Sequence, residues 1–191
     1  MAHNEVLFTD ASNIAPFLLH LKKNHSDSYQ KIVETIKLVL PFFDDFILKP
    51  NDQEMLRLDW RQKGLNDYPM RPSQLSDGAI RFICLSTALL QPIPPSTIVF
   101  DEPELGLHPY AIEILAELFQ ASSKNMQVIV STQSPALVDC FEANDVIVVN
   151  RKNGASDFTR LKEKDLVSWL EDYSLGDLWR RNILSGGPSY E

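Results

Sequence analysis

Two adjacent carboxylates, Asp101 and Glu102, follow the apolar run Ile98-Val99-Phe100. An apolar strand in a sheet would deliver them rigidly to its C-terminal edge, where α/β proteins bind ligands. The first acid can help hold Mg2+, a hard cation that takes oxygen ligands and keeps several waters. The second can polarise an attacking water. Upstream, Gln74-Leu75-Ser76-Asp77-Gly78 opens a helix. A hydroxyl and the open N–H groups of a helix start can bind an anion, and Gly78 permits close approach. Downstream, Val128-Ile129-Val130 leads into Ser131-Thr132-Gln133. A second strand would thus carry a neutral amide, able to hydrogen-bond a phosphate or water but unable to take a proton. Between them, His108 precedes Pro109, a residue suited to the first turn of a helix.

Each of these residues also fits a plain structural role. Ser76 and His108 can cap helices, Asp101 can end a buried strand and Gln133 can sit in a turn. Their order and spacing together favour chemistry.

The elements that must position them follow from periodicity. Ile14, Phe17, Leu18 and Leu21 share a helical face that Ser12-Asn13 could cap, and Ile32, Val33, Ile36, Val39 and Leu40 form a second stripe ending at Pro41. Val6-Leu7-Phe8 suggests a short strand, 55–60 another, and 64–72 a loop. A helix is expected from Ser76 to about Leu90, then a strand over 97–100, a helix over 109–121, a strand over 127–131, a short helix over 134–141 and a strand over 145–149. These strands are continuously apolar, which favours burial on both faces in a parallel sheet. Residues 158–161 suggest an edge strand, with amphipathic segments over 164–170 and 175–183. The expected organisation is a single domain over 1–191, with a helical and linking region over 1–72, a core over 73–150 and a helical tail over 151–191.

Bulk properties narrow the function. The 191 residues suffice for one domain with a real core, and 44% hydrophobic with 23% charged residues is ordinary for a globular protein. A formal net charge of −8 argues against nonspecific attraction to nucleic acid or anionic membrane. The basic pairs Lys22-Lys23, Arg151-Lys152 and Arg180-Arg181 read as solvated surface. Cys84 and Cys140 form no CxxC motif and read as small buried hydrophobes. No signal segment or membrane span is evident, so a cytoplasmic location and no membrane partner are expected.

With these motifs in order, the chain resembles the C-terminal part of ATP-binding-cassette-type ATPases, close to the RecF-like and overcoming-lysogenization-defect (OLD) group. Residues 74–78 resemble the signature, with Asp77 where most relatives carry glycine. Residues 96–103 resemble Walker B, 104–109 the D-loop and 128–135 the switch, with Gln133 where most relatives carry histidine. The tail resembles the group through Trp169-Leu170, Tyr173 to Trp179 and Gly186-Gly187-Pro188. The resemblance implies an α/β fold, the C-terminal part of a P-loop NTPase-like core with a mostly parallel sheet flanked by helices.

The resemblance also implies ATP and Mg2+ as ligands, sandwiched between two such domains. Asp101 would hold Mg2+, Glu102 orient water, Gln133 sense the γ-phosphate, Ser76 and Gly78 contact nucleotide in trans, and His108 lie at the cap or the interface. Relatives act in DNA repair or phage defence, often beside a nuclease, although no toprim-like acidic set follows the motifs here. None of the seven glycines begins a GxxxxGK[ST] phosphate loop. A P-loop encoded upstream, a partner chain or a homodimer is therefore expected, and a non-catalytic interaction subunit is the competing reading.

Overall fold

The computed structural model describes residues 4–50 and 55–184, so Gly186-Gly187-Pro188 lie outside the described residues. The chain divides into two compact units, residues 1–129 and 130–191.

In the first unit, helices α1 (Ile14–Asn24) and α2 (Ser26–Val39) form as their apolar stripes predict. Phe17, Leu18, Leu21, Ile32 and Ile36 are fully buried or nearly so. Asn13 makes no side-chain cap on α1. Its Oδ1 instead accepts the Phe8 N–H at 2.8 Å, and its Nδ2 donates to the Val6 carbonyl at 2.7 Å. The expected strand over 6–8 is accordingly irregular chain pinned at Val6 and Phe8 by the Asn13 amide.

A three-stranded antiparallel sheet follows, of β1 (Phe43–Ile47), β2 (Asp59–Gln62) and β3 (Leu65–Met70). The strand expected over 55–60 begins later, and the loop expected over 64–72 is largely β3. Gly64, at φ +83°, turns the chain so that Leu65 pairs back onto Gln62. Trp60 is buried and packs near Phe43 and Phe42. Its indole N–H donates to the Arg71 carbonyl, holding the approach to the next helix.

Helix α3 (Asp77–Leu90) then leads to β4 (Thr97–Asp101), helix α4 (Pro109–Ser122) and β5 (Gln127–Ser131). Strands β4 and β5 pair. The Gln127 N–H donates to the Ser96 carbonyl and Thr97 Oγ1 lies 3.3 Å from Gln127 Oε1, so the two strands start side by side and run parallel. The α/β core is as expected. Burial on both strand faces is not: Ile98 and Phe100 face inward, with Phe100 against Phe119 of α4, whereas Val99 is 67% and Ile129 46% exposed. Among the described residues, helices cover only one face of this pair.

In the second unit, the apolar strand β6 (Ile147–Lys152) pairs antiparallel with β7 (Ala155–Arg160), rather than joining a parallel sheet. The two-residue turn Asn153-Gly154 has φ of +52° and +79°, the mirror-type turn that matches strand twist. Short helices α5 (Pro135–Val138), α6 (Glu163–Leu170) and α7 (Leu175–Arg180) accompany the hairpin, and Val148, Leu178 and Leu184 form its small core. Cys84 and Cys140 are half-buried rather than buried, and desolvation still raises the Cys84 thiol pKa to about 11. Among the described residues, no helix is long and apolar enough to cross a membrane.

One polar network ties the first helices to the sheet. Tyr29 is buried, and its hydroxyl donates to Asp45 Oδ1 at 2.6 Å. Lys22 Nζ reaches Asp45 Oδ2 at 2.8 Å and lies over the Tyr29 ring. Burial pushes the Asp45 carboxyl upward, but hydrogen bonds from Lys22 and Tyr29 outweigh it and hold the pKa below its ordinary value. A depressed carboxylate adds stability above the unfolded-state pKa, near 4, and loses it as pH falls through the folded value. Asp45→Asn should therefore cost about 1–3 kcal/mol near pH 7, because it removes charge-assisted hydrogen bonds. The cost should shrink in acid, as urea denaturation at pH 7 and pH 3 will show.

Candidate functional site

The site begins at a helix start. Ser76 has extended backbone angles, and its Oγ accepts the Ala79 N–H at 3.1 Å, which is the N-cap geometry. Ser76 and Asp77 are exposed, while Gly78 is buried. The 3-10 turn Pro72–Gln74 leads in, closed by Arg71 N–H donating to Gln74 Oε1.

The paired acids stand at the end of β4. Asp101 is exposed, on the same strand face as Val99. Glu102 has φ +42°, in the left-handed region that non-glycine residues seldom adopt. Its carbonyl accepts the Leu105 N–H at 3.3 Å and a bond from Arg81 Nη1 at 3.1 Å. Arg81 lies on α3 and was not singled out by sequence reasoning. The signal was available, since it is the lone charged residue between Asp77 and the end of that helix.

Two glycines join these parts. A Cβ on Gly78 would run into the Gly106 carbonyl oxygen and lie 2.9 Å from its carbon. Gly106 itself has φ +77° and sits within a tight turn in which the Leu107 N–H donates to the Glu104 carbonyl. The first turn of α3 therefore rests backbone to backbone on the loop after the acids. Ser76, Gly78, Asp101, Glu102 and His108 all belong to this first unit. His108 caps α4, with Nδ1 accepting the Tyr110 N–H at 3.3 Å. That bond requires the neutral ring with its proton on Nε2.

Gln133 lies in the second unit, exposed, in the loop between β5 and α5. Its carbonyl accepts the Trp179 indole N–H at 3.2 Å. The same loop is braced locally by Thr132 Oγ1, which accepts the Ser134 N–H at 2.9 Å.

The glycine contact makes a stability forecast. Gly78→Ala should destabilise by about 3 kcal/mol, the upper range for overpacking, because a backbone oxygen cannot move aside easily. Gly64→Ala should cost only about 1 kcal/mol, from its left-handed φ, since nothing lies within 4 Å of its would-be Cβ. Chemical denaturation of both variants measures the difference.

Residues 6–139 match the family described as "AAA domain, putative AbiEii toxin, Type IV TA system". The chain is 31% identical over 186 residues to the Old nuclease of Escherichia phage P2, an alignment covering 85% of this chain and 31% of that protein. It thus spans about a third of that relative's length. The fold is similar to that of an SMC ATPase solved in work on ATP-driven dimerization and DNA-stimulated activation, with TM-score 0.58 and 19% identity, covering 81% of this chain and 94% of that one. It is also similar to the Smc head domain of Pyrococcus furiosus bound to the C-terminal domain of ScpA, with TM-score 0.60 and 20% identity, covering 81% of this chain and 39% of that one. At such identity these two likenesses speak to the fold alone. With the family match spanning most of its length, the chain belongs to this AAA-domain family.

Proposed function

We propose that the chain is the signature and acid-bearing part of an ATP-hydrolysing module whose two copies close on nucleotide. The observation that carries this reading is Glu102. Its left-handed backbone, held by Arg81 and the Leu105 N–H, is a strained conformation directly after an exposed acid at a strand end. Such strain persists where surrounding structure over-determines it, and it clusters at working sites. Of the other positive-φ residues that are not glycine, Asn153 and Asn182 are of a type that tolerates the region, and Ala11 closes the turn before α1.

In this reading Asp101 offers one exposed carboxylate oxygen set, a donor type and number that suit Mg2+ shared with phosphates. Mg2+ would neutralise developing charge on the phosphoryl oxygens. Glu102 orients and polarises the attacking water. Gln133 hydrogen-bonds at the γ-phosphate without taking a proton. Ser76 and Gly78 present the helix start of α3 to nucleotide held by the opposing copy, and His108 stands near that interface. In this reading a GxxxxGK[ST] loop, which the 191 residues do not contain, is supplied by an upstream segment or by a partner chain. Val99 and Ile129, exposed on β4 and β5, give that segment an apolar seat.

The resemblance to the Old nuclease supports a place beside a nuclease, and we propose a wider role in DNA repair or phage defence. DNA would then be an indirect partner, consistent with the net charge of −8. The competing reading, a non-catalytic interaction subunit, is favoured for the chain by itself because the phosphate loop is not within it.

In an assembly that supplies the P-loop, Glu102→Gln should slow turnover by about 10²–10⁴-fold, the usual worth of a positioned base, while ATP still binds and the dimer still forms. Asp101→Asn should weaken metal-dependent ATP binding and turnover together. Equilibrium ATP binding, light scattering and phosphate release on both variants separate the roles. Loss of ATP binding in Glu102→Gln with retained turnover in Asp101→Asn would reverse the assignment. The 191-residue chain alone should release phosphate no faster than its Glu102→Gln variant in the same assay.

A further inference from the structure

The loop that carries Gln133 is anchored by the tail of the chain, beyond the stretch matched by the family. Within the second unit, Trp179 on α7 donates its indole N–H to the Gln133 carbonyl across 46 positions of sequence. The helix bearing Trp179 is itself seated on α5, the helix that follows Gln133. The Gly176 N–H donates to Asp139 Oδ1 at 2.5 Å. A Cβ on Gly176 would lie 2.5 Å from both the Pro135 carbonyl and Asp139 Oδ2, so the two backbones meet at a distance only glycine allows.

Helix α7 is built to hold that position. Ser174 Oγ accepts the Asp177 N–H at 3.1 Å while Asp177 Oδ2 accepts the Ser174 N–H, a reciprocal capping box. Arg180 bonds Asp177 Oδ1 at 2.7 Å, and Leu175, Gly176 and Leu178 are buried beneath. The loop's local brace, Thr132 to Ser134, fixes the entry to α5. The bond from Trp179 adds a long-range hold on the backbone of Gln133 itself.

We infer that α7 is a latch for this loop and that Trp179 is a positioning residue for Gln133. The inference rests on the reading of Gln133 as the group that meets the γ-phosphate. A side-chain amide can act on a transferring phosphoryl group only if its backbone is fixed, because small misplacements cost rate steeply. Trp179 acts through Gln133 and touches no substrate. Anything that lifts α7 would slow the chemical step without altering nucleotide binding.

The test is a double-mutant cycle in the assembly of this chain with the segment or partner that supplies the P-loop. Trp179→Phe keeps an aromatic ring and deletes the N–H. It should lower kcat about tenfold while leaving KM for ATP within about twofold, the pattern for an interaction used in the transition state. Gln133→Ala should lower kcat at least as far. The double variant should match Gln133→Ala alone, because the latch has nothing left to position. Multiplying effects, or an unchanged kcat in Trp179→Phe beside a slowed Gln133→Ala, would overturn the latch and leave the reading of Gln133 standing. An unchanged kcat in Gln133→Ala would overturn that reading and the latch with it. Should Trp179→Phe fail to fold, hydrogen exchange of the indole N–H in wild-type protein decides. Exchange at Trp179 should be at least about tenfold slower than at the more exposed Trp169, as a formed bond requires; equal rates would overturn the latch.

Discussion

The contact of Gly78 with Gly106 is the constraint on which the rest of the first unit depends. It is a meeting of two backbones, so its tolerance is set by van der Waals radii and not by side-chain rotamers. Because Gly78 has no Cβ, the start of α3 can rest on the turn after the paired acids. Because Gly106 takes φ +77°, that turn can close through the Leu107 to Glu104 bond and release the chain into the His108 cap of α4. Arg81 completes the arrangement from one turn further along α3, holding the Glu102 carbonyl. A helix start suited to anions and a strand end bearing two carboxylates thereby become parts of one rigid body, which is what positioning for phosphoryl transfer requires.

The second unit solves a related problem by different means. Its core is small, built around Val148, Leu178 and Leu184, and its order comes largely from polar geometry: the mirror-type turn at Asn153-Gly154, the capping box of α7 and the Gly176 contact with α5. Apolar burial alone would leave the Gln133 loop loosely held, since Gln133 is exposed. Hydrogen bonds to Thr132 and from Trp179 supply the definition that packing does not.

Local chemistry was the most legible part of the sequence. Ser76 as a helix cap, Asp101 as a strand terminus and Pro109 after a capping His108 each follow from what one residue does to its own backbone, and the structure places them so. Properties set by distant partners were less legible. β3 was hidden because Gly64, Asn66, Asp67 and Pro69 resemble a loop, yet pairing with β2 makes it a strand. β6 looked like a buried parallel strand from its apolar run, although Asn153-Gly154 already signalled a hairpin. The inward and outward alternation of β4 was invisible in Ile98-Val99-Phe100, since all three are apolar and only the one-sided cover by helices distinguishes them. Arg81 and Trp179 could not be assigned partners from spacing, because their bonds close over 21 and 46 positions.

The central claim is that the signature, Ser76 with Gly78, serves a nucleotide held by an opposing copy. Its most direct test mixes two variants of the P-loop-bearing assembly, one with Ser76→Arg and one with the P-loop lysine replaced by alanine. Each alone should be inactive. Mixed, they should recover turnover of up to about a quarter of wild type, because half the two-fold dimers then carry one intact composite site. If the mixture stays as inactive as its components while mixed dimers form, the signature does not act across the interface and the account fails.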